Sequence, residues 1–206
     1  MERKRPDIPP RERILKTASE LFFHQGVRAT GINEVIEKSG VAKATFYHHF
    51  PTKDDLCLAY LRERNAAEFE SVETYVRGYA SPRERFLAVI EAILPWLEAN
   101  RLRGCVFLNM VAEVPDPANA LRSEGVQHYE SLRRLVSTLA KDLIDSDHPS
   151  YGHVNADVLV DDYLVILGGA IAMTEIYNDL WPARQAVSLI QRLIDQRGAV
   201  SQEKTV

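Results

Sequence analysis

The sequence predicts an all-α protein, and three observations carry that reading. Apolar residues recur every three or four positions through most of the 206 residues, the spacing that gathers them on one side of a helix. No strand-like alternation of comparable length interrupts them. The ten glycines and ten prolines fall at intervals, where helices start and stop.

A first helix follows Pro9-Pro10. Ile14, Ala18, Leu21 and Phe22 share one face, Arg13, Lys16 and Glu20 the other, and Gly26 supplies the stop. A short second helix fits Ile32 to Lys38, with Val35 and Ile36 inward, and ends at Ser39-Gly40; a third fits Ala42 to His49. Pro51 then breaks the chain. Thr52, with Asp55 three residues on, marks the N-cap of a long fourth helix, whose positive end suits Asp54 and Asp55. Further helices are predicted over Pro82 to Ala99, with Pro95 placed to kink it, then Gly104 to Val114, Ala118 to Ile144, Asn155 to Tyr177 and Pro182 to Gln196. The segment 145–153 has turn composition and reads as a loop, and 199–206 reads as a flexible tail.

Composition narrows the class. Apolar residues are 46% of the chain and charged residues 26%, ordinary for a globular domain with a well-stocked core. No apolar run approaches the roughly 20 residues that span a bilayer, and the N-terminus lacks the apolar stretch of a secretory signal, so a cytoplasmic protein with no membrane partner is expected. Cys57 and Cys105 are too few for a disulfide framework and read as free thiols. His148, His153 and Asp147 are irregularly spaced in a polar loop and read as solvated, so neither a metal nor a cofactor is expected. The net charge of −4 is unevenly spread: Met1 to Lys53 carries +4 and the remainder −8. A basic front on an acidic body suits approach to phosphates. The tail Arg3-Lys4-Arg5 supplies most of that charge, and without it the front keeps +1.

Three helices with a Gly40 turn between the second and third have the arithmetic of a helix-turn-helix. The third helix is polar for its length: Lys43, Thr45, Tyr47, His48 and His49 crowd its few turns, with Phe46 and Phe50 left to anchor it. The run from Gly26 to Ile32, followed by Gly40-Val41-Ala42-Lys43-Ala44-Thr45-Phe46-Tyr47-His48-His49-Phe50-Pro51-Thr52-Lys53, closely resembles the DNA-binding signature of the TetR family of transcriptional regulators. The resemblance covers about the first quarter of the chain. It implies a helix-turn-helix domain over 1–53 in which Lys43, Thr45, Tyr47 and His48 lie along the recognition helix with His49 beside them, and Thr30 and Lys53 approach flanking phosphates of double-stranded DNA. Taken alone, Tyr47 also reads as a packed aromatic, the two histidines as surface residues of which at most one meets a base, and Thr30 as a helix cap. Relatives often carry Ser where this chain has Ala42, so a hydroxyl cap on the third helix is missing.

The resemblance further implies that 54–198 is a larger helical domain for effector binding and dimerisation. Its middle helices would enclose a cavity for a small-molecule effector, with Trp96, Phe107, Met110, Glu113, Tyr129 and Tyr163 as walls or polar handles, and Asn109 and Glu113 as polar groups on an otherwise apolar helix. Aromatic and Met residues at helical spacing also read as core. Cys105 reads as a buried inert thiol, with an oxidation sensor as the alternative. The last two helices carry apolar faces (Val158, Leu164, Leu167, Ile171, Leu189, Ile190, Leu193, Ile194), and Gly168-Gly169-Ala170 lets a neighbouring backbone come close. In relatives these helices pair with their copies, which implies a homodimer and a palindromic operator with half-sites ~34–36 Å apart. The expectation is therefore a ligand-controlled repressor and not an enzyme. Control by a protein partner, or by Cys105 oxidation, is the runner-up. An enzyme built on Cys105 with His128 or Glu113 lacks an assembled nucleophile, base and orienting group.

Overall fold

A computed structural model describes residues 8–199; the basic tail Arg3-Lys4-Arg5 and the expected tail beyond Ala199 lie outside them. Every element among the described residues is a helix. α1 (Pro10–Gln25) has proline in its first turn, where a missing N–H costs nothing, and ends on Gly26 at φ +88°. α2 (Ile32–Ser39) and α3 (Lys43–His49) are joined through Gly40, whose left-handed φ of 65° makes the sharp turn. α4 (Lys53–Arg77) begins with the expected capping box, Thr52 accepting from the Asp55 N–H and Asp55 accepting from that of Thr52. A second box, Ser81 with Glu84, opens α5 (Pro82–Glu91).

The single helix expected from Pro82 to Ala99 is two. Pro95 has no N–H to offer the Glu91 carbonyl, so the helix breaks at Ala92 and resumes as α6 (Ile93–Ala99). Arg101 and Leu102 follow at positive φ (54° and 58°), the Leu102 N–H closing the helix end on the Leu97 carbonyl at 2.9 Å. α7 (Val106–Glu113) is shorter than expected, because Gly104 sits at φ +67° outside it. α8 (Ala120–Ser146) is capped by Asn119 and α10 (Ala156–Tyr177) by Asn155. Between them the predicted loop contains a single turn, α9 (His148–Tyr151). α11 (Trp181–Ala199) runs into the start of the expected tail.

Two packing units share one continuous core. Ile14, Ala18, Val35, Phe46 and Phe50 close α1–α3 into a small bundle, and Leu56, Tyr60 and Leu61 of α4 seal its base. In the larger unit α8 packs against α4, α5, α7 and α10, while α11 lies along α10 and α5. The α7–α8 approach is close: a Cβ on Gly125 would lie 3.1 Å from the Phe107 carbonyl oxygen and 2.5 Å from Val111 Cγ2.

Candidate nucleic-acid interface and ligand cavity

On α3 the anchors and the polar face separate cleanly. Phe46 is buried and packs against Phe50 with ring centroids 6.2 Å apart. Lys43 and Tyr47, one turn apart, are exposed, and so are Ala44 and His48 beside them. Tyr47 keeps 39% of its surface despite an edge contact with Phe46. Thr45 and His49 are half-buried along the flank, and His49 turns toward a recess shared with Arg11, Pro51, Asp55 and Arg62. Ala42 is the N-cap and makes no side-chain bond, as its missing hydroxyl requires. Lys53 donates to the Arg28 carbonyl at 3.4 Å, tying the α1–α2 loop to the start of α4.

Thr30 departs from both expectations. It is 1% exposed, and its hydroxyl donates to the Gly26 carbonyl at 2.8 Å while accepting from Gln25 Nε2 at 3.3 Å. The N-cap of α2 is Gly31, without a side-chain cap. Thr30 thus holds the α1–α2 turn from inside, and its side chain presents nothing at the surface for a phosphate to meet.

The residues expected to line one cavity divide among three places. Trp96 and Tyr129 do line an apolar cavity, together with Glu68, Phe69 and Val72 of α4, Val89, Ala92 and Ile93, Cys105, His128 and Leu132, and Leu167 and Ile171 of α10. About 70 Å³ of it is open to the centre of a water molecule. Asn109, Met110 and Glu113 instead line a wider cleft of about 430 Å³ between the C-terminal end of α1 and helices α4, α7 and α10. There Asn109 Nδ2 donates to Glu175 at 3.3 Å, which answers the polar group on an apolar helix without a ligand. Phe107 and Tyr163 are core: Phe107 stacks on His128 at 3.9 Å, and the buried Tyr163 hydroxyl donates to the Phe86 carbonyl at 3.1 Å. Periodicity shows which side of a helix faces inward; it does not show where two inward faces fail to meet.

The polar groups at the small cavity are largely spent. Glu68 accepts from Arg64 at 2.6 Å with the Trp96 indole close by, and burial holds its carboxyl above the usual range against those neighbours. Arg64 also reaches Asn100 Oδ1 at 3.3 Å. His128 Nδ1 lies 2.8 Å from Asn65 Oδ1, an acceptor, so Nδ1 carries the proton and Nε2 is left as an acceptor. Burial pushes the imidazole down to about 4, neutral at physiological pH. The Tyr129 hydroxyl is buried and has no hydrogen-bond partner among the described residues, with the Cys105 thiol and the Glu68 carboxylate near it. Leaving such a group unmet costs on the order of 1–3 kcal/mol. Cys105 itself is buried and pushed up to about 11, a protonated thiol rather than a nucleophile. An enzyme built on Cys105 would thus start from a buried, protonated thiol, and Glu113 lies in the other cleft.

Sequence reasoning missed Arg103. From the loop after α6 it donates to the carbonyls of Phe23 and His24, both at 2.6 Å, satisfying the last turn of α1. A contact made across some 80 positions of chain leaves no local pattern to read.

Comparison with known proteins decides the family. A model of the N-terminal domain of bacterial regulatory proteins of the tetR family matches residues 14–60, and a model of the tetracyclin repressor-like C-terminal domain matches 82–190, about half of the chain by itself. The chain belongs to the TetR family. Among its curated relatives are the HTH-type transcriptional repressor NemR of Escherichia coli K12, 29% identical over 58% of this chain and 61% of NemR, and the HTH-type transcriptional activator FasR of Mycolicibacterium smegmatis, 33% identical over 43% of this chain and 40% of FasR. The chain thus aligns with about three-fifths or less of the length of these curated relatives. The fold match is broader: a TetR-family regulator from Streptomyces coelicolor superposes with a TM-score of 0.80 at 26% identity, covering 92% of this chain and 90% of its own.

Proposed function

We propose that the chain is a DNA-binding transcriptional repressor that works as a homodimer in the cytoplasm and leaves a palindromic operator when a small molecule enters the α4–α10 cavity. The observation that carries the DNA-binding part is the exposed polar face of α3, with Lys43, Tyr47 and His48 displayed on a helix fixed from behind by Phe46 and Phe50. Thr45 and Lys53 flank that face, and His49 borders it. Base edges are read by such side chains, and phosphates are held by the cations around them.

Dimerisation is supported by the apolar surface that α10 and α11 leave uncovered. Val165 and Ile176 keep 75% and 71% of their surface, and Met173, Tyr177, Trp181 and Leu189 join them. Of the apolar positions expected to form this face, Leu167, Ile171, Ile190 and Ile194 are buried within the chain instead. A Cβ added at Gly168 or Gly169 would meet nothing within 4 Å, so close approach is open to a second copy.

Control by a ligand is supported by the shared loop. The cavity wall formed by Ile93, Trp96 and Cys105 brackets the segment that carries Arg103 to the end of α1. A ligand favouring a displaced α6 would shift that hook, and by linkage operator binding would weaken by the same factor as ligand binding.

Fluorescence anisotropy with labelled DNA from upstream of the protein's own gene tests the reading. Expected is sequence-specific, salt-sensitive binding, with Lys43→Ala weakening it and lowering the salt slope by about 0.9 for each phosphate that is no longer neutralised. Equal affinity for that DNA and for random duplex would refute it.

A further inference from the structure

The cavity among α4, α5, α6, α8 and α10 also limits what can fill it. Among its lining residues the only charged side chain is Glu68, and Arg64 already pairs with it at 2.6 Å. No unpaired cation faces the space to receive an anionic ligand, and no unpaired carboxylate to receive a cation. An ion brought here would lose its hydration with nothing in return. Two neutral groups remain open. The Tyr129 hydroxyl can donate and lacks a proper partner, and His128 Nε2 can accept; their rings meet edge to face at 5.4 Å. One hydroxyl on a ligand would answer both, taking a hydrogen bond from Tyr129 and giving one to His128. The rest of the wall is aliphatic or aromatic, with Phe69 and Trp96 among its rings.

We propose that the effector cavity binds a small neutral one-ring compound bearing a hydroxyl, a phenol or an aryl alcohol, through Tyr129 and His128. The proposal rests on the reading of this cavity as the effector site, but not on operator release. Size limits the ligand to one ring at most. The open space is about half the ~150 Å³ that admits benzene in an engineered apolar cavity, so even one ring enters by parting the walls.

Calorimetric titration of the full chain at pH 7.5, without DNA, tests this with 4-methylphenol, toluene, benzoate and benzylamine. 4-Methylphenol should bind at least ten-fold tighter than toluene, and benzoate and benzylamine more weakly than either. Tyr129→Phe, which removes one oxygen and keeps the ring, should erase most of the difference between 4-methylphenol and toluene while leaving toluene unchanged. Benzoate or benzylamine binding as tightly as 4-methylphenol would overturn the proposal. So would a preference for the phenol that survives Tyr129→Phe, or no binding by any of the four. Operator anisotropy with the same compounds separates the two readings: 4-methylphenol that binds the cavity without moving operator affinity sinks ligand control and leaves the ligand class standing, whereas release by benzoate through this cavity does the reverse.

Discussion

His128 shows how strongly one side chain depends on its surroundings. It stacks on Phe107, donates to Asn65 and is held neutral by burial, with its pKa lowered to about 4 from an unfolded value near 6.5. The unfolded chain therefore binds the extra proton more readily. Stability from this group is fully present above about pH 6.5 and is lost as pH falls toward 4, amounting to about 3 kcal/mol across that window. Denaturation midpoints of the wild type and His128→Gln, measured from pH 7.5 to 4, should converge on acidification, because only the wild type carries this titration. A constant gap would show that His128 contributes through packing alone. At the helix-turn-helix end, Thr30 teaches a different point. A threonine just before a helix reads as a cap or a phosphate ligand from sequence, yet the return of α1 toward α2 brings the Gly26 carbonyl within 2.8 Å of its hydroxyl and turns it inward.

At the scale of elements, the close α7–α8 crossing rests on Gly125. Gly125→Ala would usually help a helix by about 1 kcal/mol through propensity. Here the new methyl would meet the Phe107 carbonyl and Val111, and the carbonyl belongs to backbone that cannot step aside alone. A net loss of about 1–3 kcal/mol in urea denaturation is expected, the usual cost of overpacking, and a gain in stability would show that α7 yields freely. Much at this scale was legible in the sequence. The first four helices, the Gly40 turn and the Thr52–Asp55 box follow from local rules, and the box from Ser81 to Glu84 carried the same signature unread. The break at Ala92 was half legible, since Pro95 marks a disturbance but not where the missing bond falls. The cavity was least legible. Trp96 and Tyr129 reach it while Phe107 and Tyr163, of similar character, fill core positions, because the difference lies in what the facing helix brings.

Across the whole molecule, the uncovered faces of α10 and α11 set the expected assembly. Val165→Glu places a charge at the most exposed of these apolar positions and should shift sedimentation from dimer to monomer with circular dichroism unchanged. Operator affinity should fall with it, since one helix-turn-helix reaches only one half-site. A dimer that withstands the change would move the interface elsewhere. The link between the two units is tested at Arg103: in Arg103→Met, amide hydrogen exchange over 22–26 should quicken about ten-fold, matching a loss near 1.4 kcal/mol, with α10 protection unaltered. Unchanged exchange at the end of α1 would show that the turn holds itself.

That hook bears on how freely such a protein can be recombined. The last carbonyls of α1 are completed by a guanidinium from the other unit, 80 positions away, so the helix-turn-helix unit draws one of its partners from outside itself. A chimera that grafts residues 1–53 onto a foreign C-terminal domain would carry a first helix with its end undone unless the new body offers a cation at the same place. Domain swaps made with this chain should therefore be cut to include the loop after α6, or should restore its arginine.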